Sequence, residues 1–255
     1  MTLISLTRTH SRVARRQSAL WFTTVPLTAF ATLLAVVSPG RPGTGGIEDL
    51  AFAGQIIAIF TGIAYAAAFA DFFTVSARFG MHEIEAATSV PQALLRTARV
   101  LGAFTVVIAP SLVVLLTMGL VQMIGGRPWS LPGALAVTAT VVAPAALIAT
   151  ALSGVAGALL PKALARIVAV LAWFLLVFSS PLLPIPTPNG TVFSVVGDAI
   201  VTGWFGAGPI YAASSGPLAF DGTSLGATVS LILRLVIVVA LLLAGAWLAE
   251  RTRKR

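Results

Sequence analysis

The chain has 255 residues, of which 58% are apolar and 9% are charged, and its mean hydropathy is +0.99. An average soluble domain is about 45–50% apolar and about 25% charged, so this composition excludes an ordinary water-soluble domain. The absence of cysteine excludes a disulfide framework, a thiol nucleophile and a cysteine-ligated metal site, and two histidines are too few for a His-rich one. We therefore predict an all-α membrane protein without catalytic or metal-binding residues.

The first 17 residues are basic and are predicted to form an amphipathic helix at the inner membrane surface. Leu3, Leu6 and Val13 recur at helical spacing on one face. The arginines of another face are Arg8, Arg12, Arg15 and Arg16. Such a helix suits anionic lipid headgroups. The alternative is a disordered basic tail that only sets the topology.

Six apolar stretches are each long enough to cross a bilayer core of about 30 Å as a helix. They cover residues 20–37, 50–75, 100–124, 131–160, 163–183 and 225–249. The first follows two arginines, as a signal peptide would. It is long, lacks a small-x-small cleavage site and precedes five more apolar stretches, so we interpret it as an uncleaved span.

The basic residues mark the ends of these stretches. Thirteen of the 16 fall on one side of the predicted membrane: Arg8, Arg12, Arg15, Arg16, Arg78, Arg96, Arg99, Lys162, Arg166, Arg251, Arg253, Lys254 and Arg255. The other side holds Arg41 and Arg127, and Arg234 falls inside the sixth stretch. The positive-inside bias predicts a multi-pass protein of the cytoplasmic (inner) membrane with both termini in the cytoplasm. The net charge of +8 then reflects topology and contact with membrane lipids, and not nucleic-acid binding.

The predicted cytoplasmic segment 76–99, between the second and third spans, is longer than a simple turn requires. It contains Glu83 and Glu85, two of the eight acidic residues of the chain, beside His82. A helix beginning near Pro91 can be capped by the preceding serine or threonine, which would leave the acidic residues facing the cytoplasm. The alternative is that these charges only solvate an inner loop.

This segment resembles the corresponding region of the membrane subunits of type-2 ABC exporters. There the pattern Gly-Thr-Leu-Glu-x-Leu-Leu-Ala-Thr-Pro-Val follows the second span and precedes a Leu-rich helix start that ends in Gly-Lys. The matching positions in this chain are Gly80, Glu83, Ala87, Thr88, Val90, Leu95 and Ala98-Arg99. The departures are Met81, His82 and Ser89, with a proline two residues late at Pro91.

The resemblance implies that residues 1–255 form a single transmembrane domain, a permease subunit that works as a dimer with an identical or homologous second permease subunit. It also implies that residues 1–17 are an elbow helix and that segment 76–99 is a coupling helix. This helix would dock on a separate cytoplasmic ATP-binding cassette ATPase, and His82, Glu83 and Glu85 would face that partner.

A phosphate loop requires a lysine after glycine, and neither Lys162 nor Lys254 follows one. We therefore expect no cofactor bound directly by this chain, with ATP used by the partner subunit. The scarcity of charge in the spans predicts an apolar or amphipathic substrate, such as a drug, antibiotic, peptide or lipid.

The predicted outer loop 184–224 is rich in Val, Ile, Phe and Trp, which indicates short re-entrant helices between spans five and six; an ordinary external lid is the alternative. Arg234 lies about 14 Å into the sixth span and should have a buried partner, for which Asp198 and Asp221 are candidates. It would anchor the loop or attract an anionic group of the substrate. Snorkelling to the outer surface is the alternative.

Asp71, late in the second span, would line the substrate path or pair with a basic residue of a neighbouring span. An intramembrane acid also raises the alternative of a proton-coupled secondary transporter or another self-sufficient membrane protein. An intramembrane hydrolase is disfavoured, because no second aspartate lies in a span and both histidines fall outside the spans.

Overall fold

The computed structural model describes residues 3–70, 92–179, 187–214 and 217–253, which fold into helices joined by loops. No strand forms in these ranges, and the only β-type pairing that we find within them is an isolated antiparallel bridge between Thr191 and Ala219. The predicted all-α class is therefore confirmed for the described part of the chain.

The described residues contain nine named helices. In chain order they are α1 (Leu3–Arg15), α2 (Ser18–Val37), α3 (Ile47–Ala68), α4 (Gln92–Val107), α5 (Ala109–Ile124), α6 (Ser130–Leu159), α7 (Lys162–Phe178), α8 (Asp198–Phe205) and α9 (Ser224–Arg253). Helix α6 contains a π-helical turn at Thr138–Val142.

Four of these helices, α2, α3, α6 and α9, are long and apolar enough to cross a membrane, and the bent pair α4–α5 brings the number to at most five. The third predicted span is thus not straight. Its two halves meet at 45° around Ile108, where Pro110 has no N–H for the helical ladder. Helix α7 has 17 residues, and residues 180–186 after it lie outside the described ranges. Six spans therefore remain a prediction.

Helix α3 occupies the centre of the bundle. In its most apolar 18-residue stretch 78% is buried, compared with 28% in that of α2 and 22% in that of α9. Glycine allows α7 to approach closely, since a Cβ at Gly62 would lie 2.0 Å from Cζ2 of Trp173. The Trp173 indole is fully buried and donates to the Ile59 carbonyl oxygen at 2.9 Å. The peripheral helices expose many apolar side chains, which is compatible with a multi-pass membrane protein.

A helix forms near the chain start, at Leu3–Arg15, and packs against α4. A Cβ at Gly102 of α4 would lie 2.6 Å from Cβ of His10. Val13, one of the side chains expected on its apolar face, is 55% exposed, and α1 buries Ser11 and Ala14 in the protein. The arginines of α1 are exposed on the opposite side.

A candidate functional site at the outer segment

The predicted ATPase-facing residues His82, Glu83 and Glu85, and also Asp71, lie outside the described residues. The structure describes the predicted coupling region 76–99 only from its C-terminal part. There the described residues of α4 run from Gln92, and the helix start expected near Pro91 stays a prediction.

Arg234, in contrast, lies inside the bundle. It comes ten residues after the start of α9, about 15 Å along the helix axis, and its side chain is fully buried. Its Nη1 donates to the carbonyl oxygen of Thr140 at 2.9 Å, and its Nη2 donates to those of Val141 and Val195 at 2.8 and 2.7 Å. The guanidinium is therefore directed inward, and not toward the outer surface.

The π-helical turn of α6 explains why two of these carbonyl oxygens accept bonds from outside their own helix. A π turn shifts the backbone ladder from i→i+4 to i→i+5, so carbonyl groups at the turn are displaced from the regular pattern. Thr140 and Val141 both lie in this turn. An arginine with its planar fork of donors can bond several such acceptors at once.

Asp198 is the second buried charge of this region, at the first residue of α8. Its Oδ1 accepts from Nε2 of Gln55 at 3.0 Å and from the backbone N–H groups of Ile210 and Tyr211 at 3.1 and 3.4 Å. Its Oδ2 accepts from Oγ of Ser194 at 2.7 Å. Burial raises the pKa of Asp198, and these hydrogen bonds oppose the rise.

The two buried charges do not touch each other directly, although both lie against residues 194–198. The side chains of Ser194 and Asp198 bond to each other, while the Val195 carbonyl oxygen accepts from Arg234. Gly197, at φ +82°, lies so close that a Cβ there would be 2.7 Å from Nη1 of Arg234. One short stretch of chain thus separates a buried cation from a buried anion.

We name residues 187–214 the outer segment, after the side of the membrane predicted for them. Its described residues contain one short helix, α8, and its re-entrant placement stays a prediction. A second group of bonds ties it to the end of α7. Asn189 Nδ2 donates to the carbonyl oxygens of Val177 and Ser179 at 3.1 and 2.9 Å, and the Tyr211 hydroxyl also donates to Val177.

Asp221, the other candidate partner of Arg234, lies outside this cluster. Its exposed Oδ1 accepts from the backbone N–H and the hydroxyl of Thr223 at 3.0 and 2.8 Å, just before α9 begins. These hydrogen bonds lower the pKa of Asp221. Its role is local, at the start of the helix.

The sequence did not predict a role for Gln55. This residue is fully buried and connects α3 to Asp198. A lone amide within a 22-residue apolar helix was the available signal. Its Oε1 and the Nε of Arg234 are buried and have no hydrogen-bond partner among the described residues. The contacts of the cluster hold the outer segment in place, and the described residues bring together no group of three or more side chains suited to a metal ion.

Comparison with protein-family models and with curated proteins finds no match for this chain.

Proposed function

We propose that this chain is the permease subunit of an ATP-driven exporter, with six spans and both termini in the cytoplasm. One observation carries the proposal: in a chain with eight acidic residues, two lie close together in a predicted cytoplasmic segment that resembles the coupling region of type-2 ABC exporters. The described C-terminal part of that segment, from Gln92, is helical, which supports the proposal.

The geometry on the predicted inner side suits a mechanical input. Helices α1 and α4 pack closely at Gly102, and Nε1 of Trp21 fixes the α1–α2 corner by donating to the Arg15 carbonyl oxygen at 2.9 Å. Helix α4 meets α5 at 45° around Ile108. In this mechanism, ATP binding closes a pair of ATPase subunits, pulls the coupling segments together and rotates the α1–α4 unit about that bend. Two permease subunits would then alternate between inward-open and outward-open states.

The substrate proposed for this route is apolar or amphipathic. Arg234 is the charged side chain predicted to lie deepest in a span. Its guanidinium is already bonded to three carbonyl oxygens. Few donors therefore remain for a small hydrophilic anion in this conformation. A drug, antibiotic, peptide or lipid would instead be moved by burial of its apolar surface.

Purification of the tagged chain from its native membrane tests the ATPase partnership. We expect an ATPase with a phosphate loop, identified by mass spectrometry, to co-purify with the wild type and to be lost in the double variant Glu83→Arg with Glu85→Arg. The matched control is Glu250→Arg, which reverses one charge at the predicted cytoplasmic end of α9. If the double variant retains the ATPase and transport, segment 76–99 does not couple them.

A proton-coupled transporter is the second candidate, and one observation favours it. Such a carrier needs buried ionisable groups, and Asp198 and Arg234 are both fully buried around one stretch of chain. Efflux of a lipophilic fluorescent dye distinguishes the two mechanisms. Dissipating the proton gradient with ATP held constant stops a proton-coupled carrier, whereas depleting ATP with the gradient held constant stops the ABC exporter.

A further inference from the structure

We propose that Arg234 is a latch that holds the outer segment closed over α3, α6 and α9, and that loss of its bond to Val195 lets this segment open to the outside. The inference goes beyond the proposed function, because an external latch can serve a transporter driven by ATP or by protons. It assigns Arg234 as a positioning residue, which acts through the backbone it holds.

The first reason is that one rigid group bonds to two separate parts of the protein. Through Nη1 and Nη2 the guanidinium binds the π turn of α6, and through Nη2 it also binds Val195 of the outer segment. Because the guanidinium is planar, these bonds fix the distance and direction between the two parts. Arg234 itself belongs to α9, so three elements meet at a single side chain.

The second reason is that Asp198 makes a contact in the opposite direction. Arg234 reaches from the bundle to the outer segment, whereas Asp198 belongs to the outer segment and receives a hydrogen bond from Gln55 of α3. Separating the two surfaces would remove the bond of Arg234 to Val195 and the bond of Asp198 to Gln55, which is unfavourable unless water replaces these partners. The junction is therefore stable when closed and dry, or open and hydrated, with intermediate positions disfavoured.

The third reason is that the closed outer segment buries apolar side chains of its own. Val196 and Ile200 lie next to the latch residues and are 1% and 0% exposed. Opening of the outer segment would expose them to the external solution. Since the chain contains no cysteine, a cysteine introduced at Val196 reports this opening without background.

The test measures the rate at which a membrane-impermeant maleimide, added outside intact cells, labels the Val196→Cys protein. The labelling rate follows the population of the open state when opening and closing are fast. We expect slow labelling with Arg234 present and a rate about tenfold higher or more in Arg234→Met, since one charge-assisted hydrogen bond suffices to shift an equilibrium by about that factor. Arg234→Lys should be intermediate, because one ammonium cannot reproduce the fork.

Two control variants separate the latch from general loosening of the bundle. Ser230→Ala, one turn away in α9, changes a buried hydroxyl for which the described part of the chain offers no hydrogen-bond partner, and Val238→Ala removes buried apolar volume. Both should leave the labelling rate at Val196→Cys unchanged. Pro128→Cys, at an exposed position of the α5–α6 connection, should react equally in every background.

Unchanged labelling in folded Arg234→Met, or an equal rise in Val238→Ala, would overturn the proposal. If Arg234→Met does not accumulate as folded protein, Gln55→Leu decides from the opposite side of the junction, because it removes the bond from α3 to Asp198 and keeps the bonds of Asp198 within the outer segment. A several-fold faster reaction at Val196→Cys then supports the latch, and an unchanged rate refutes it. Because the readout is labelling and not transport, the result is independent of the ATPase partnership.

Discussion

At the residue scale, Asp198 and Asp221 are two aspartates of one region with opposite electrostatic environments. Asp198 is enclosed, and burial raises its pKa, whereas hydrogen bonds from Thr223 lower the pKa of the exposed Asp221. The unfolded chain gives both an ordinary pKa of about 3.9. The two residues must therefore affect stability in opposite directions as the pH changes.

We expect the wild type to lose stability as the pH rises through the titration of Asp198. The Asp198→Asn variant should not show this loss. Between the unfolded pKa and the higher folded pKa of Asp198, the folded protein binds more protons, so its stability falls with increasing pH. Asp221→Asn is the opposite control: its contribution is present above the unfolded pKa and is lost as the pH falls through the lowered one. Thermal unfolding in detergent, measured across the acidic pH range, checks the direction of the pH dependence for both aspartates. Identical pH profiles for wild type and Asp198→Asn would contradict the assignment.

A second residue-scale prediction concerns Gly157, where α6 touches the backbone that follows α3. A Cβ at this position would lie 1.5 Å from the carbonyl oxygen of Ala70, so the backbones must separate in Gly157→Ala. Overpacking of this kind destabilises a protein by about 1–3 kcal/mol, and we expect a lower melting temperature. Gly208→Ala is the control, since no atom lies within 4 Å of its Cβ position. Equal melting temperatures would mean that the contact relaxes freely.

At the element scale, the bend between α4 and α5 is stabilised from outside its own helix. The hydroxyl of Tyr65, a fully buried residue of α3, donates to the Val107 carbonyl oxygen at 2.8 Å, where the helical ladder is interrupted. This bond compensates a backbone group that the bend exposes within the bundle. Helix α3 thereby defines the position of the bend as well as the centre of the fold.

Tyr65→Phe removes that bond and leaves the carbonyl oxygen of Val107 without its side-chain partner. We expect a loss of about 1 kcal/mol in stability, measured as a lower thermal midpoint in detergent. Thr117→Val is the matched control, because it removes a hydroxyl that bonds only within its own helix, to Val113, on an exposed surface. A midpoint of Tyr65→Phe equal to that of the control would exclude a role for the hydroxyl at the bend.

At the scale of the whole molecule, the basic residues predict which loops face the cytoplasm, and the cysteine-free chain allows a direct test. Pro42→Cys and Pro128→Cys lie in exposed connections predicted outside, and Ser18→Cys and Pro161→Cys lie at exposed positions predicted inside. We expect an impermeant maleimide to label the first pair in intact cells and the second pair only after permeabilisation. The reverse pattern would invert the topology and place segment 76–99 outside, where it could not meet a cytoplasmic ATPase.

The sequence by itself predicted the helical class and the need to bury Arg234. Apolar length and charge are local properties, so they are readable without coordinates. It also proposed Asp198 as a partner of Arg234, although the structure joins the two only through residues 194–198. The sequence could not predict which three carbonyl oxygens bond to Arg234. Every residue carries a backbone carbonyl, and only the tertiary structure shows which of them can accept a hydrogen bond from this side chain.

Tertiary structure also decided the roles of Gln55 and of the π turn. A single amide in an apolar run can face lipid, another helix or a ligand, and the choice depends on a residue 143 positions away in the chain. A π turn has no distinct composition, since Thr138–Val142 is an ordinary β-branched stretch. Its carbonyl oxygens accept hydrogen bonds because α9 places the guanidinium of Arg234 beside them. The composition thus indicates a multi-pass membrane protein, and long-range packing determined how its few buried charges are held.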